Sequence, residues 1–287
     1  LGEDSRTSHN ISRSNWVPGD YARWVPTKTA IETYLTDDGK IWNPASVNTY
    51  EEIFEHRDPR MKASILAPGT PWEGGRNGGT DDILNTDESI FTYPKLVNNK
   101  KGSMTYTGYY MRKYVEPSTV QSVGHDDNDI VMMRYAEVLL NYAEAKERLG
   151  RLTQNDLDIS INLLRDRVGM VHMKLSDLPT GSDIRSEIRR ERNVELFYEG
   201  HRYFDLIRWK QGELLGRDLL GINRRWLDQS RISVDLNSLT WVNVAGEQYL
   251  LLETGRTFDP AKHYLLSLPF KQMQLNPNLK PNNPGWN

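Results

Sequence analysis

The chain has 287 residues with 37% apolar side chains and 36 Lys and Arg against 39 Asp and Glu, a net charge of -3. That is enough for one large domain or two ordinary ones with a real core. The near-balanced charge excludes the electrostatic footprint of a nucleic-acid binder, and 14 Tyr with 8 Trp exclude a disordered chain. The absence of cysteine excludes disulfides and thiolate metal sites. No run approaches the roughly 18 apolar residues of a membrane helix. The chain opens at Leu1 with neither Met nor a signal-like segment, so it is expected to be processed, trimmed or a fragment.

Residues 1–128 read as a loop-rich stretch. The first 125 residues hold 11 of the 21 Gly and 8 of the 14 Pro, with no long helical period. Thr70-Pro71-Trp72-Glu73-Gly74-Gly75-Arg76-Asn77-Gly78-Gly79 is loop by its glycines. Short strands are predicted near residues 64–66 and 109–114. Long ordered loops of this kind usually carry function.

Residues 129–212 read as helical. Met132, Ala136, Leu139, Leu140 and Ala143 recur at the spacing of one helix face, predicting a helix over 130–149 that ends at Gly150. Asp129 is expected to cap it or stand in its first turn. Leu157, Ile161, Leu164 and Val168 predict a second helix over 156–168, capped by Asn155 or Asp156 and stopped at Gly169. The two make an antiparallel pair of the kind found in helical repeats, and one such pair cannot bury its own face. A third helix is predicted over 184–209, beginning near Asp183, with Val194, Phe197, Tyr198 and Phe204 on its apolar side. Glu187/Arg190, Glu199/Arg202, Arg202/Asp205 and Asp205/Arg208 are spaced i, i+3 along it. Residues 213–287 read as a hairpin around 241–253, turning at Ala245-Gly246, and a tail rich in Pro and Asn.

These helical stretches also carry a family likeness. Residues 134–145 (Arg134-Tyr135-Ala136-Glu137 onward), 161–170 (Ile161 to Met170, containing Arg165-Asp166-Arg167) and 188–209 (Ile188 to Trp209, containing Glu191-Arg192 and Tyr198-Glu199-Gly200-His201-Arg202) resemble the carboxyl-terminal signature of the SusD/RagB family. Asp38-Gly39-Lys40, Arg57-Asp58-Pro59-Arg60 and Thr107 to Lys113 precede them in the family's order. Tyr264 to Pro269 resembles the family's Pro-Ile-Pro stretch, with Ser267 in place of the first proline, and Asn283-Pro284-Gly285-Trp286 resembles its ending. The resemblance covers residues 30–287. It implies a mainly α fold of tetratricopeptide-like helix pairs with a large loop-rich region containing short β-strands. On that reading the chain is one carboxyl-terminal domain, and the family's amino-terminal repeat half is absent from it.

The resemblance further implies non-catalytic capture of oligosaccharide nutrients by a lipid-anchored, cell-surface protein of the outer membrane. The partner it implies is a SusC-type TonB-dependent barrel, and the anchor would lie outside this sequence. Peptide or glycopeptide binding of the RagB type, or a helical-repeat scaffold without nutrient ligand, are the alternatives. A glycan-cleaving enzyme is a further one; it would need two carboxylates facing across a cleft at about 5–10 Å. The motif acids instead stand among arginines, which favour their charged form, and are expected to be structural ion pairs that lock helices together. No cofactor is implied. Asp81-Asp82 and Asp126-Asp127-Asn128-Asp129 could offer oxygen ligands to a cation, but neither has the spacing of a calcium hand, and no metal site is expected.

The positive signal is aromatic. Trp16, Tyr21, Trp24, Trp42 and Trp72 stand beside Pro, Gly, Asn and Arg, outside any periodic core stripe. A flat ring can take the apolar face of a pyranose while amide and guanidinium groups take its hydroxyl rim. Each of these rings fits a small local core as well as a ligand contact. The expected ligand contacts are Trp16, Tyr21, Trp24 and Trp72, with Arg76 and Asn77 at the rim.

Overall fold

The computed structural model describes residues 9, 11–16, 24–70, 90–96, 105–116 and 126–286. Among the described residues the loop-rich stretch contributes three short α-helices, α1 (Ile11–Trp16), α2 (Lys28–Thr33) and α3 (Pro59–Ser64). Pro59 at the first turn and Asp58, whose carboxylate accepts from the Arg60 backbone N–H, start α3. The strands predicted at 64–66 and 109–114 shrink to an isolated bridge between Ile65 and Met111. Ser64 is still helical, and Arg112 and Lys113 both donate to its carbonyl, so no ladder propagates.

The helical stretch follows. α4 (Tyr135–Arg148) buries Ala136, Leu139, Leu140 and Ala143, as the spacing predicts. It begins five residues later than expected. Arg134 occupies the N-cap position, so Asp129 neither caps it nor stands in its first turn, and Met132 is 90% exposed. The second predicted helix is two: α5 (Gln154–Asp158) and α6 (Ile161–Asp166). Thr153, not Asn155 or Asp156, caps α5 through a reciprocal box with Asp156. The break falls at Ser160, whose buried hydroxyl donates back to the Asp156 carbonyl.

The third predicted helix is also two, α7 (Ile184–Glu195) and α8 (Arg202–Arg208). α7 begins near Asp183 as expected, and Asp183 caps it, boxed with Ser186. Between them Tyr198 and Gly200 take φ of 63° and 82°, which no helix accommodates. Phe197 is therefore half-buried at the edge of the aromatic core, and Phe204 is exposed. α4 packs on α7, and α6 on α4.

The last stretch forms a three-stranded sheet of β1 (Leu219–Asn223), β2 (Trp241–Val244) and β3 (Glu247–Glu253), in the order β1-β3-β2. β2 and β3 are antiparallel, with Trp241 opposite Leu250 and Val244 opposite Glu247. Ala245 and Gly246 turn the hairpin with φ of 55° and 89°, both left-handed, matching the twist of the strands. A final helix, α9 (Phe270–Leu275), lies in the tail.

The chain divides into two compact units. One comprises Leu1–Glu199 and Leu220–Leu252, the other Gly200–Leu219 and Glu253–Asn287. The first holds two hydrophobic clusters. Ala136, Leu140, Ala143, Leu157, Ile161, Leu164 and Ile188 form the core between the helices. Tyr34, Trp42, Tyr50, Phe54, Phe91, Tyr109, Tyr110, Trp226 and Tyr249 lead the core of the loop-rich region and sheet. In the second unit the Trp286 indole donates to the Leu265 carbonyl at 2.8 Å and lies under the Lys262 ammonium, which fixes the end of the tail.

Candidate functional site

Two kinds of chemistry were candidates: the charges of the signature and the aromatics of the loops. The charges converge. Glu191 and Glu195 project from α7 and Glu199 from the turn after it; the first two are almost fully buried. Arg60 of α3 forks onto Asp58 at 2.7 and 3.0 Å and reaches Glu191 at 2.5 Å and Glu195 at 3.0 Å. Arg165 of α6 meets Glu191 at 2.8 Å. Arg134 bridges Glu195 and Glu199, at 2.6 and 2.8 Å, while Arg167 holds Glu195 and Lys113 holds Glu199. Residues from five separate segments of the signature thus close one network.

Burial opposes the charge on these three carboxylates. Arg60 and Arg165 outweigh it at Glu191, Arg134 with Arg60 and Arg167 at Glu195, and Arg134 with Lys113 at Glu199. All three carboxyls are held below the usual glutamate range. They are ionised acceptors with their bonds committed to the protein, not proton donors at neutral pH. Glu187/Arg190 and Asp205/Arg208 pair at i, i+3 as expected, at 3.2 and 2.8 Å. Glu199 instead turns to Arg134 and Lys113, because the helix has already ended before it.

In the acidic run near residue 126, Asp126 is likewise committed to the protein. The buried Asp126 carboxylate accepts from the Ser12 backbone N–H at 2.6 Å and lies 3.2 Å from His9. Asp81 and Asp82 lie outside the described residues.

The loop aromatics separate into core and surface. Trp42 is buried, 5.7 Å from the Trp226 ring, with the Arg57 guanidinium 3.9 Å over its face. Arg57 itself donates to the carbonyls of Ile31, Tyr34 and Ile53. Burial pushes its pKa down to about 9. Trp42 therefore belongs to the core. Trp24 does not: 46% of it is exposed, while Val25 beside it packs on the aromatic core and Pro26 is buried. Trp16 ends α1, and its side chain lies outside the described set, as do Tyr21, Trp72, Arg76 and Asn77.

Sequence reasoning missed a polar cavity of about 480 Å³ in the first unit, walled by Asp38, Gly39, Val171, Lys174, Asp177 and Glu187. Glu187 carried a signal only as half of a helix-face pair with Arg190; its position on the buried side of α7 depends on packing.

The fold is thus a mainly α one, with helix pairs riveted by buried ion pairs and a loop-rich region built on an aromatic core. The SusD family model matches residues 2–286, and the chain belongs to that family. It is 31% identical over 273 residues to SusD-like protein P2 of Formosa agariphila, covering 92% of this chain and 44% of that relative. A SusD-like carbohydrate binding protein from Bacteroides fragilis superposes with a TM-score of 0.64 at 26% identity, covering 89% of this chain and 48% of the other. A second SusD-like protein from Bacteroides fragilis gives 0.65 at 22% identity, covering 97% and 51%. The chain spans about half the length of the relatives it matches. No helix among the described residues is long and apolar enough to cross a membrane.

Proposed function

We propose that the protein captures oligosaccharide at the cell surface, without cleaving it, and passes it to a SusC-type TonB-dependent barrel in the outer membrane. The loop-rich stretch 1–128 is the ligand-facing region, and a lipid anchor outside this sequence holds the protein to the membrane. The observation that carries this reading is Trp24, a large ring left 46% exposed on backbone anchored by its neighbours. Such a ring is pre-organised to stack on a pyranose face at little entropic cost. Trp16, Tyr21 and Trp72 are the further stacking candidates, with Arg76 and Asn77 at the hydroxyl rim. The name of the Bacteroides fragilis relative, a carbohydrate binding protein, supports the ligand class. The committed state of Glu191, Glu195 and Glu199 supports binding without catalysis.

The test is Trp24→Ala in the intact protein, titrated by calorimetry against the tightest oligosaccharide from an array. Losing a desolvated aromatic contact costs about 2 kcal/mol, roughly a thirtyfold loss of affinity, with an unchanged melting temperature. Normal binding by Trp24→Ala, Trp16→Ala, Tyr21→Ala and Trp72→Ala alike would move the platform elsewhere. Binding of peptides with no oligosaccharide would overturn the ligand class.

A further inference from the structure

The tail of the second unit leaves large apolar side chains in water. Leu265, Leu266, Phe270 and Leu275 are 53%, 72%, 71% and 72% exposed, all within eleven residues. A single exposed leucine is ordinary, whereas a group of this kind marks a surface that something covers. Beside them Leu268, Phe270, Met273, Pro281 and Trp286 line a cleft of about 770 Å³.

The leucines are held in place. Trp286 Nε1 donates to the Leu265 carbonyl at 2.8 Å and Asn283 Nδ2 to the Leu266 carbonyl at 2.7 Å, which ties both to the wall that Trp286 forms. The polar side chains there are spent on the stretch itself. Asn282 accepts from the backbone N–H groups of Leu268 and Asn283 at 2.8 Å each, and donates to Ser267 Oγ at 3.1 Å and to the Trp286 carbonyl at 3.0 Å. Ser267 Oγ in turn donates to the Leu268 carbonyl at 3.1 Å. The face therefore offers apolar contact and few directional bonds.

Its charge has one sign. From Pro260 to Trp286 the chain holds Lys262, Lys271 and Lys280 and no acidic residue. Lys262 lies over the Trp286 ring, Lys280 stands at the cleft with Phe270, and Lys271 follows Phe270 in α9. Lys271 and Lys280 are exposed. Apolar groups among cations fit a partner with an anionic surface and an apolar interior. A small amphiphile filling the cleft would leave Leu265, Leu266 and Leu275 in water. A protein partner would form about one hydrogen bond per 100–200 Å² of interface, and this face has already spent its donors and acceptors. A bilayer surface covers all the leucines and asks for no directional bond.

We infer that this face rests on an anionic bilayer surface. Leu266, Phe270 and Leu275 enter the acyl boundary, and Lys271 and Lys280 meet the head groups. The contact lies on the membrane and does not span it. It extends the membrane placement proposed above with residues of this chain, and it is independent of which ligand is captured.

The test uses the full-length protein, prepared without its acyl anchor and floated with vesicles of phosphatidylcholine, alone or mixed with phosphatidylglycerol. It is expected to float with the mixed vesicles, less with the neutral ones, and less as salt rises. Leu266→Ala combined with Phe270→Ala should lower partitioning about thirtyfold on both kinds of vesicle, from the methylenes no longer buried. Lys271→Gln combined with Lys280→Gln should lower it on the mixed vesicles alone, by about fivefold per lysine. All four side chains are exposed, so the melting temperature should not move. No flotation of the unsubstituted protein with mixed vesicles, as when another part of the full chain covers this face, overturns the inference. So does flotation indifferent to both double variants. One-to-one binding of octanoate that abolishes flotation also overturns it, by making the cleft a small-ligand site. Oligosaccharide titration of the same preparation reads capture separately, so either reading can fail while the other stands.

Discussion

The helical region and the loop-rich region solve the same packing problem with different materials, the second adding aromatic rings that the first lacks. Between the helices the core is aliphatic, from Ala136 and Leu140 to Ile161 and Ile188, because a regular period lets small branched side chains interdigitate. The core of the loop-rich region and sheet adds many rings to its aliphatics: Trp42, Tyr50, Phe54, Phe91, Tyr109, Tyr110, Trp226 and Tyr249 pack among residues such as Ile53, Ile65 and Ile222. Irregular backbone leaves wider gaps and unpaired carbonyls, which large rings and long donors cover together. Arg57 serves three carbonyls, Trp226 Nε1 donates to the Val47 carbonyl at 3.1 Å, and Trp241 Nε1 to that of Leu236 at 2.7 Å. The buried charges follow the same division. The carboxylates of Glu191 and Glu195 join α7 to α3, α4 and α6, whereas Arg57 is satisfied by main chain. Abundant aromatics in a loop are therefore weak evidence for a binding site until their exposure is known.

The contrast can be broken hardest at Arg60. Arg60→Ala leaves Asp58, Glu191 and Glu195 short of a shared cation, and removing one partner of a buried pair costs about 3–5 kcal/mol. Denaturant melts of the variant measure it. A loss below about 1 kcal/mol would mean that the network contributes little beyond its neighbours.

Changing pH should separate the two cores. Glu191, Glu195 and Glu199 have folded pKa values below their unfolded ones. The stability they supply is complete above the unfolded glutamate value of about 4.3 and is lost as pH falls through the folded values. Burial raises the tyrosines of the other core, Tyr34, Tyr50, Tyr109 and Tyr110, above theirs. Their contribution is complete below about pH 10 and is lost as pH rises beyond it. Thermal melts across pH should fall at both extremes. Tyrosinate absorbance for these residues should appear only with unfolding. Free titration near pH 10 without unfolding would contradict the burial.

The smallest effect concerns the hairpin. Ala245 holds a left-handed backbone that asparagine adopts more readily. Ala245→Asn should raise stability by about 0.5 kcal/mol, read as a shift in the denaturant midpoint at constant slope.

Several elements were legible in the sequence for local reasons. The stripe from Ala136 to Ala143, the start of α7 near Asp183 and the Ala245-Gly246 turn depend on neighbours a few residues apart. The signature of Arg60, Arg134, Arg165, Glu191, Glu195 and Glu199 identified the family correctly. That these residues form one network follows from where α3, α4, α6 and α7 meet. The breaks at Ser160 and after Leu196 were not legible, because Leu, Phe and Tyr continue the helical pattern across them. What accompanies the breaks is a serine hydroxyl turned onto its own backbone at the first, and left-handed backbone at Tyr198 and Gly200 after the second.

The aromatic residues mark the boundary most clearly. By itself the sequence determined that this chain has a helical framework of the SusD family and a loop-rich region dense in Trp and Tyr, because helix period and motif order are written along the chain. Only the tertiary structure decided that Trp42 lies under Arg57 in the core and that Trp24, eighteen positions earlier, faces solvent. Both sit beside Pro and Asn or Arg in irregular sequence. Burial there is set by which distant segment arrives to cover the ring, here Trp226 over Trp42. Glu187 makes the same point in reverse: its spacing to Arg190 describes a surface pair, and packing turned it inward with one oxygen unspent.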